Sequence, residues 1–179
     1  MPANKGADEA LAALRSDTSK TLGLTVGKHT GVGPGTYIPR ADAQSPPEIL
    51  YPAASPDKTY QIICLDLDAP FKSLPVLGPI WHWCQSGVKL SASTSTPGKL
   101  EWSEPPVVNY IGPAPPPGAA PHRYVFFLYE QPAGFDVVSH APAKGKEVGM
   151  TPRMWFSLDE WAAKVGLGEV LAVNYFTSN

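Results

Sequence analysis

Residues 112–129 read Gly-Pro-Ala-Pro-Pro-Pro-Gly-Ala-Ala-Pro-His-Arg-Tyr-Val-Phe-Phe-Leu-Tyr, and this stretch decides the fold. Its first ten residues hold five prolines, each with a fixed φ and no N–H to donate. Gly112 to Pro121 is therefore a rigid, extended loop. The next eight residues, His122 to Tyr129, are mostly aromatic or aliphatic and form the strongest strand in the chain. Alternation places His122, Tyr124, Phe126 and Leu128 on one face and Arg123 on the other. A stiff loop feeding directly into a buried strand dictates where the first side chains of that strand point.

Working outward, Tyr60 to Leu67 is a second core strand, apolar on both faces. Ile80 to Leu90 is a third, rich in Trp and Val, and Val170 to Phe176 closes the chain as a last strand. Two short helices accompany them. Residues 7–16 are Ala- and Leu-rich, with acids at the start and Arg15 near the end. Ser157 to Val165 is opened by Ser157 and stopped at Gly166. Residues 27–57 read as loops and edge strands, Ser91 to Gly98 as a surface loop and Pro132 to Pro152 as mostly irregular. This pattern predicts a mainly β protein, an antiparallel β-sandwich with short peripheral helices. Residues 1–20 read as an N-terminal helical extension and 21–179 as the domain.

The composition agrees. The 179 residues suit one domain. Leu, Ile, Val and Phe make up 40 of them, about 22%, just above the ~20% expected of disordered chains. With 16 Gly and 21 Pro, long helices are disfavoured and a helical bundle is excluded. A net charge of −2, with no basic run, argues against nucleic acid or an anionic membrane surface as a main partner. No apolar stretch approaches the ~18–20 residues of a transmembrane helix. The polar stretch Met1 to Arg15 lacks the apolar core of a secretory signal. Two cysteines do not make a disulfide scaffold. A cytoplasmic address is expected.

Three strand ends collect polar residues. Ile62, Cys64 and Asp66 share a face, and Asp66 and Asp68 stand where that strand ends at Ala69-Pro70. Strict alternation puts His82 on the same face as Cys84, with Trp81 and Trp83 opposite. Asp66, His82, His122 and Tyr124 are therefore candidates to line one cavity with a polar floor. Each also has a structural reading, since a strand histidine is commonly a hydrogen-bonded core residue. Cys84 beside His82 suggests a thiol nucleophile only faintly; buried, inert thiols are the expectation for both Cys64 and Cys84. Asp68 and Arg123 are expected to form a structural ion pair, bidentate if the geometry allows. His29 and His140 fall in loops and carry no signal. No ligand spacing is diagnostic of a metal. No Gly-rich phosphate loop, nucleophile elbow or zinc motif is present. Neither a metal nor a cofactor is expected.

At these strand ends the chain resembles the phosphatidylethanolamine-binding protein family, in the form of its fungal members, including those similar to carboxypeptidase Y inhibitors. The matching pieces are Asp66-Leu67-Asp68-Ala69-Pro70, Trp81-His82-Trp83, and Gly112-Pro113-Ala114-Pro115-Pro116 running into His122-Arg123-Tyr124-Val125-Phe126. Tyr129-Glu130-Gln131 and Ala172-Val173-Asn174-Tyr175-Phe176 also match. The resemblance implies a β-sandwich over residues 21–179. It also implies an anion pocket lined by Asp66, Ala69, Pro70, His82, Gly112, Pro116, His122 and Tyr124. Leu67 replaces the family's usual proline, Gly78, Pro79 and Ile80 replace a charged and aromatic rim, and Ala114 stands where many members have glycine. These departures imply a more apolar rim.

Two functions follow from the resemblance. The first is a binding or regulatory protein whose stiff pocket takes a small anionic ligand, phosphorylated or carboxylated, and which has a protein partner such as a protease or kinase. The second is a fungal biosynthetic enzyme or auxiliary that assists cyclisation or dimerisation of an anionic polyketide of the maleidride type. There His82 or His122 would act as general base or acid and Tyr124 as a proton donor.

Overall fold

Three long strands, apolar on both faces, organise the computed structural model, which describes residues 4–93, 95–142 and 146–179. In chain order the elements are α1 (Lys5–Ser16), β1 (Gly23–Thr25), β2 (Thr36–Tyr37), β3 (Glu48–Leu50), β4 (Tyr60–Asp66), β5 (Ile80–Leu90) and β6 (Lys99–Glu101). β7 (His122–Glu130), α2 (Val137–His140), α3 (Leu158–Val165) and β8 (Ala172–Ser178) complete them. His140 thus ends a one-turn helix instead of lying in a loop. Residues 1–3 of the predicted N-terminal extension, Thr94 in the predicted 91–98 loop, and 143–145 in the predicted 132–152 irregular stretch lie outside the described residues.

The protein is mainly β with few helices. In place of two separate sheets, the described strands form one eight-stranded sheet in the order β1-β3-β6-β5-β4-β7-β8-β2. Every pairing is antiparallel except β2 with β8. The cause lies in β5. Its residues from Ile80 to Val88 pair with β4, and Lys89 and Leu90 pair with β6. Just before this change of partner, in the irregularity between Gln85 and Val88, the strand passes Gly87 at φ +66°, where a Cβ would stand 2.8 Å from the Glu104 side chain. Only glycine adopts that conformation without strain, and it lets one strand serve both arms of a curled sheet.

Curling gives the sheet two buried faces. On one, Leu24, Ile49 and Leu100 of the short strands pack over Ile62, Phe126 and Phe176. On the other, Ile63, Leu65, Val125 and Phe127 meet Ala7, Ala10 and Leu14 of α1 and Leu158 and Trp161 of α3. Burial of each large side chain contributes about 1.5–3 kcal/mol, which is why β4 and β7 carry apolar residues at nearly every position. α3 is closed as its sequence indicates: Ser157 Oγ accepts from the Glu160 N–H at 3.2 Å, and Gly166 ends the helix at φ +74°.

Candidate functional site

Asp66, the last residue of β4, pairs with Tyr124 of β7 on one side and Ile80 of β5 on the other. The ends of all three strands therefore coincide, and the proline-rich loop before β7 closes over them. A cavity of about 180 Å³ opens there, below the ~300–1,000 Å³ of pockets for drug-sized ligands. Of the residues singled out in the sequence, Asp66, Ala69, Pro70, His82, Gly112, Ala114, Pro116 and His122 line it. Tyr124 does not line it. That ring lies behind, edge-on to His82 with centroids 5.0 Å apart and stacked on Phe176 at 5.4 Å.

His82 reaches the cavity by a route that strict alternation misses. Cys64 pairs with Trp83 and Leu65 with Trp81, so His82 is the extra residue of a β-bulge. Trp81 and Trp83 consequently pack on opposite faces of the sheet. Cys84 joins the α1/α3 face, away from His82's contact with Tyr124. The expected shared face of His82 and Cys84 is thus corrected, for bulges re-aim a side chain and break the period of two. Both thiols are buried and free, and burial pushes each above its ordinary range. Neither has the polar, accessible surroundings of a nucleophile.

The two cavity histidines are held in opposite ways. His122 Nδ1–H donates to Asp66 Oδ2 at 2.8 Å, and Nε2–H donates to the Pro70 carbonyl at 3.1 Å. With an acceptor at each nitrogen, the ring is a cation. Burial opposes that charge, but the Asp66 bond, the Asp66 and Asp68 charges and the Pro70 carbonyl outweigh it and raise the His122 pKa. Asp66 is held in turn by the Asp68 backbone N–H, which donates to Oδ1 at 2.8 Å. His82 makes one bond, from Nδ1–H to the Ile111 carbonyl at 2.8 Å. Burial lowers its pKa, and Arg153 and His122 add to that against the opposing pull of Asp66 and Ile111. His82 is therefore neutral, with its lone pair on Nε2.

Behind Asp66 lies a second polar unit. Arg123 donates from its backbone N–H and Nε to Asp68 Oδ2, both at 2.9 Å, and from Nη2 to Oδ1 at 2.6 Å. Burial disfavours an ionised Asp68, yet these bonds and the Arg123 charge prevail and hold its carboxyl below the ordinary range. The pair does not line the cavity. Tyr124's hydroxyl is buried and makes no well-formed hydrogen bond among the described residues, its nearest donor being the Ala114 backbone N–H. Burial, followed by the Asp66 charge, pushes that phenol upward.

Other parts of the site carry no signal in the sequence. Leu77, Ile111, Met150 and Met154 complete an apolar wall. Phe71, Leu74, Val76, Met150 and Trp155 stand exposed, and Trp155 is tied to Val76 O through its indole N–H at 2.9 Å. Arg153 is 1% exposed, and its guanidinium donates to the carbonyls of Trp81 and Asn109, both at 2.9 Å, and to Asn109 Oδ1 at 2.6 Å. It thereby clamps the start of β5 to the loop that carries Ile111. Outside the site, His29 Nε2 lies 2.8 Å from Asp42 Oδ2. Among the described residues, no group of three or more His, Cys, Asp or Glu is arranged to hold a metal ion. No described helix is long and apolar enough to cross a membrane.

Comparison with known proteins places this geometry. The sequence model of the phosphatidylethanolamine-binding protein family matches residues 24–176. The chain is 25% identical to phomoidride biosynthesis cluster protein N of Talaromyces stipitatus over 98% of its length and 92% of that protein. It is 29% identical to the carboxypeptidase Y inhibitor of Saccharomyces cerevisiae over 78% of its length, spanning 64% of that protein. Among solved structures, the fold matches a carboxypeptidase Y inhibitor complexed with its cognate proteinase, with a TM-score of 0.71 at 24% identity, covering 97% of this chain and 91% of that one. It also matches a phosphatidylethanolamine-binding protein from Plasmodium vivax, with a TM-score of 0.63 at 17% identity, covering 88% and 84%.

Proposed function

The chain belongs to the phosphatidylethanolamine-binding protein family, and from that premise we propose that it is a binding or regulatory protein whose cavity takes a small anionic molecule, phosphorylated or carboxylated. The observation that carries this reading is the His122 imidazolium at the cavity floor, held by Asp66 and Pro70. A buried cation attracts an oxyanion strongly where water is excluded. The loop adds a donor, because Gly112, which lines the cavity, keeps the N–H group that the loop's prolines lack. Pro113, Pro115 and Pro116 restrict that loop before the ligand arrives, so little entropy is lost on binding.

The test is thermal. Phosphate or a phosphorylated small molecule should raise the melting temperature, and His122→Ala should abolish the rise. The absence of a shift with any anion would sink the reading. A protein partner belongs to the same proposal, supported by the relatedness to a proteinase inhibitor, as does a cytoplasmic address.

A second reading has its own support. The relative that covers nearly the whole chain is a biosynthesis cluster protein, and a neutral His82 suits a general base. On that reading the protein assists cyclisation or dimerisation of an anionic polyketide of the maleidride type, with His82 or His122 moving the proton and Tyr124, which lies behind the cavity wall, able to donate one only through His82. A polyketide synthase encoded beside its gene would favour this reading, and an isolated housekeeping context would oppose it.

A further inference from the structure

A second cavity lies on the α1/α3 face of the sheet and shares no residue with the histidine cavity. Tyr129, at its floor, is seven residues along β7 from His122, roughly 23 Å at the rise of an extended strand. α1 and α3 are joined at their starts, where Asp159 Oδ2 and Oδ1 accept from the backbone N–H groups of Lys5 and Gly6 at 2.8 and 2.9 Å. Gly6 permits that approach, since a Cβ there would stand 2.8 Å from Asp159 Oδ1. Beside this junction, between the two helices and the start of β8, about 390 Å³ is open. That is more than twice the histidine cavity and falls within the ~300–1,000 Å³ of small-molecule sites.

The lining is apolar inside and acidic at the rim. Ala10, Ala172 and Val173 are buried and present their methyl groups. Glu9, Asp159 and Glu169 supply three carboxylates against one cation, Lys20. Lys20 follows the far end of α1, so the negative charge of Glu9 and Asp159 is concentrated at the helix start. Glu9 also meets Lys5 at 3.4 Å, but both are largely exposed and such a pair holds weakly. The floor carries one polar group. Tyr129 is 3% exposed, and its hydroxyl makes no hydrogen bond among the described residues. Its cross-strand neighbour Gln61 instead directs Oε1 to the Trp161 indole N–H at 3.1 Å. Burial, and then the Asp159 charge, pushes the phenol upward, so the hydroxyl keeps its proton and its lone pairs stay open to a donor. A buried polar group without a partner in the protein calls for one from the cavity.

We propose that this cavity binds an organic ammonium ion, a primary amine on a compact apolar body. The ammonium donates its three N–H groups to the Tyr129 hydroxyl and to carboxylate oxygens of Asp159 and Glu9. The carbon body covers the buried alanine and valine methyls, where a hydrated inorganic cation gains nothing. Among the described residues, no group of three or more His, Cys, Asp or Glu is arranged to hold a metal ion. An anion meets three carboxylates, and a neutral molecule of the same shape loses the charge-assisted hydrogen bonds. This site is independent of the anion cavity and stands or falls without it.

Calorimetric titration of the full chain at pH 7 and matched ionic strength, with phenethylamine hydrochloride and with phenethyl alcohol, tests the proposal. The amine should bind saturably and at least about tenfold more tightly than the alcohol. Saturating inorganic phosphate should leave that affinity unchanged, because the cavities are separate. Tyr129→Phe should weaken amine binding roughly fivefold. Ala162→Leu, which fills the space from α3 with a good helix former, should abolish it. If Ala162→Leu does not fold, the backbone amide signals of Ala172 and Val173 in the wild-type chain locate the ligand: movement on titration supports the site, and stillness overturns it. Absence of saturable amine binding, or equal affinity for amine and alcohol, overturns the proposal. So does amine affinity that survives unchanged in folded Tyr129→Phe or Ala162→Leu. Displacement of the amine by phosphate overturns it too and assigns the amine to the histidine cavity.

Discussion

His122 and Asp66 sit on adjacent strands with Nδ1 and Oδ2 2.8 Å apart, both side chains almost fully buried. The contact joins the end of β4 to the start of β7 and places a cation at the floor of the cavity. Its consequences, and those of the groups around it, are measurable.

The first concerns pH. His122 has a raised pKa in the fold, so it binds its proton more tightly than the unfolded chain does. The stability it contributes is fully present below the ordinary histidine value of 6.5 and is lost as pH rises through its folded value. His82 is lowered, so its contribution is present above 6.5 and is lost as pH falls through its folded value. Stability measured by denaturant unfolding should therefore peak near neutrality. Asp66→Asn should flatten the alkaline limb, and His82→Asn should flatten the acid limb below pH 6.5.

The second concerns Asp68, whose carboxylate accepts three hydrogen bonds from Arg123. Asp68→Asn should cost about 2–4 kcal/mol in chemical denaturation, because a buried acceptor site is lost and a cation is left without its partner. Anion affinity should change little, since the pair lies outside the cavity wall. A loss of binding at unchanged stability would place Asp68 in the ligand site instead.

Tyr124 provides a third. Its buried hydroxyl makes no well-formed hydrogen bond and has only the Ala114 N–H beside it, so Tyr124→Phe should shift stability by less than about 1 kcal/mol. If the protein turns over a polyketide substrate, the same variant should lose activity at an unchanged melting temperature. A large destabilisation would mean that the hydroxyl has a structural partner.

The fourth is Arg153. Its planar fork serves the carbonyls of Trp81 and Asn109 and the Asn109 side chain together. Lysine keeps the charge but cannot reproduce the fork. Arg153→Lys should cost about 2–4 kcal/mol in thermal or denaturant unfolding, through buried oxygens left unpaired. A neutral result would show that those carbonyls are satisfied another way.

Much of this site was readable from residues alone, and the reasons are specific. The apolar run from Tyr60 and the aromatic run from His122 mark Asp66 and His122 as strand-end residues, and the proline run before His122 marks the stiff loop beside them. His82 stands out in the sequence, but its direction is not readable there, because a bulge leaves no mark in the local pattern and alternation then assigns the wrong face. Arg153, Met150 and Met154 come from an irregular segment far along the chain. Nothing in their neighbours marks a buried arginine there. The single curled sheet was equally hidden, since it depends on Gly87 turning one long strand between two partners. Two separate sheets would use the same short strands.

The central claim, that an anion binds between His82 and His122, is tested most directly by the ring signals of the chain's four histidines. In an NMR titration with inorganic phosphate, the imidazole resonances of His82 and His122 should move saturably and together, while those of His29 and His140 stay in place. Unmoved His82 and His122 signals at saturating phosphate, or movement confined to His29 and His140, would contradict it.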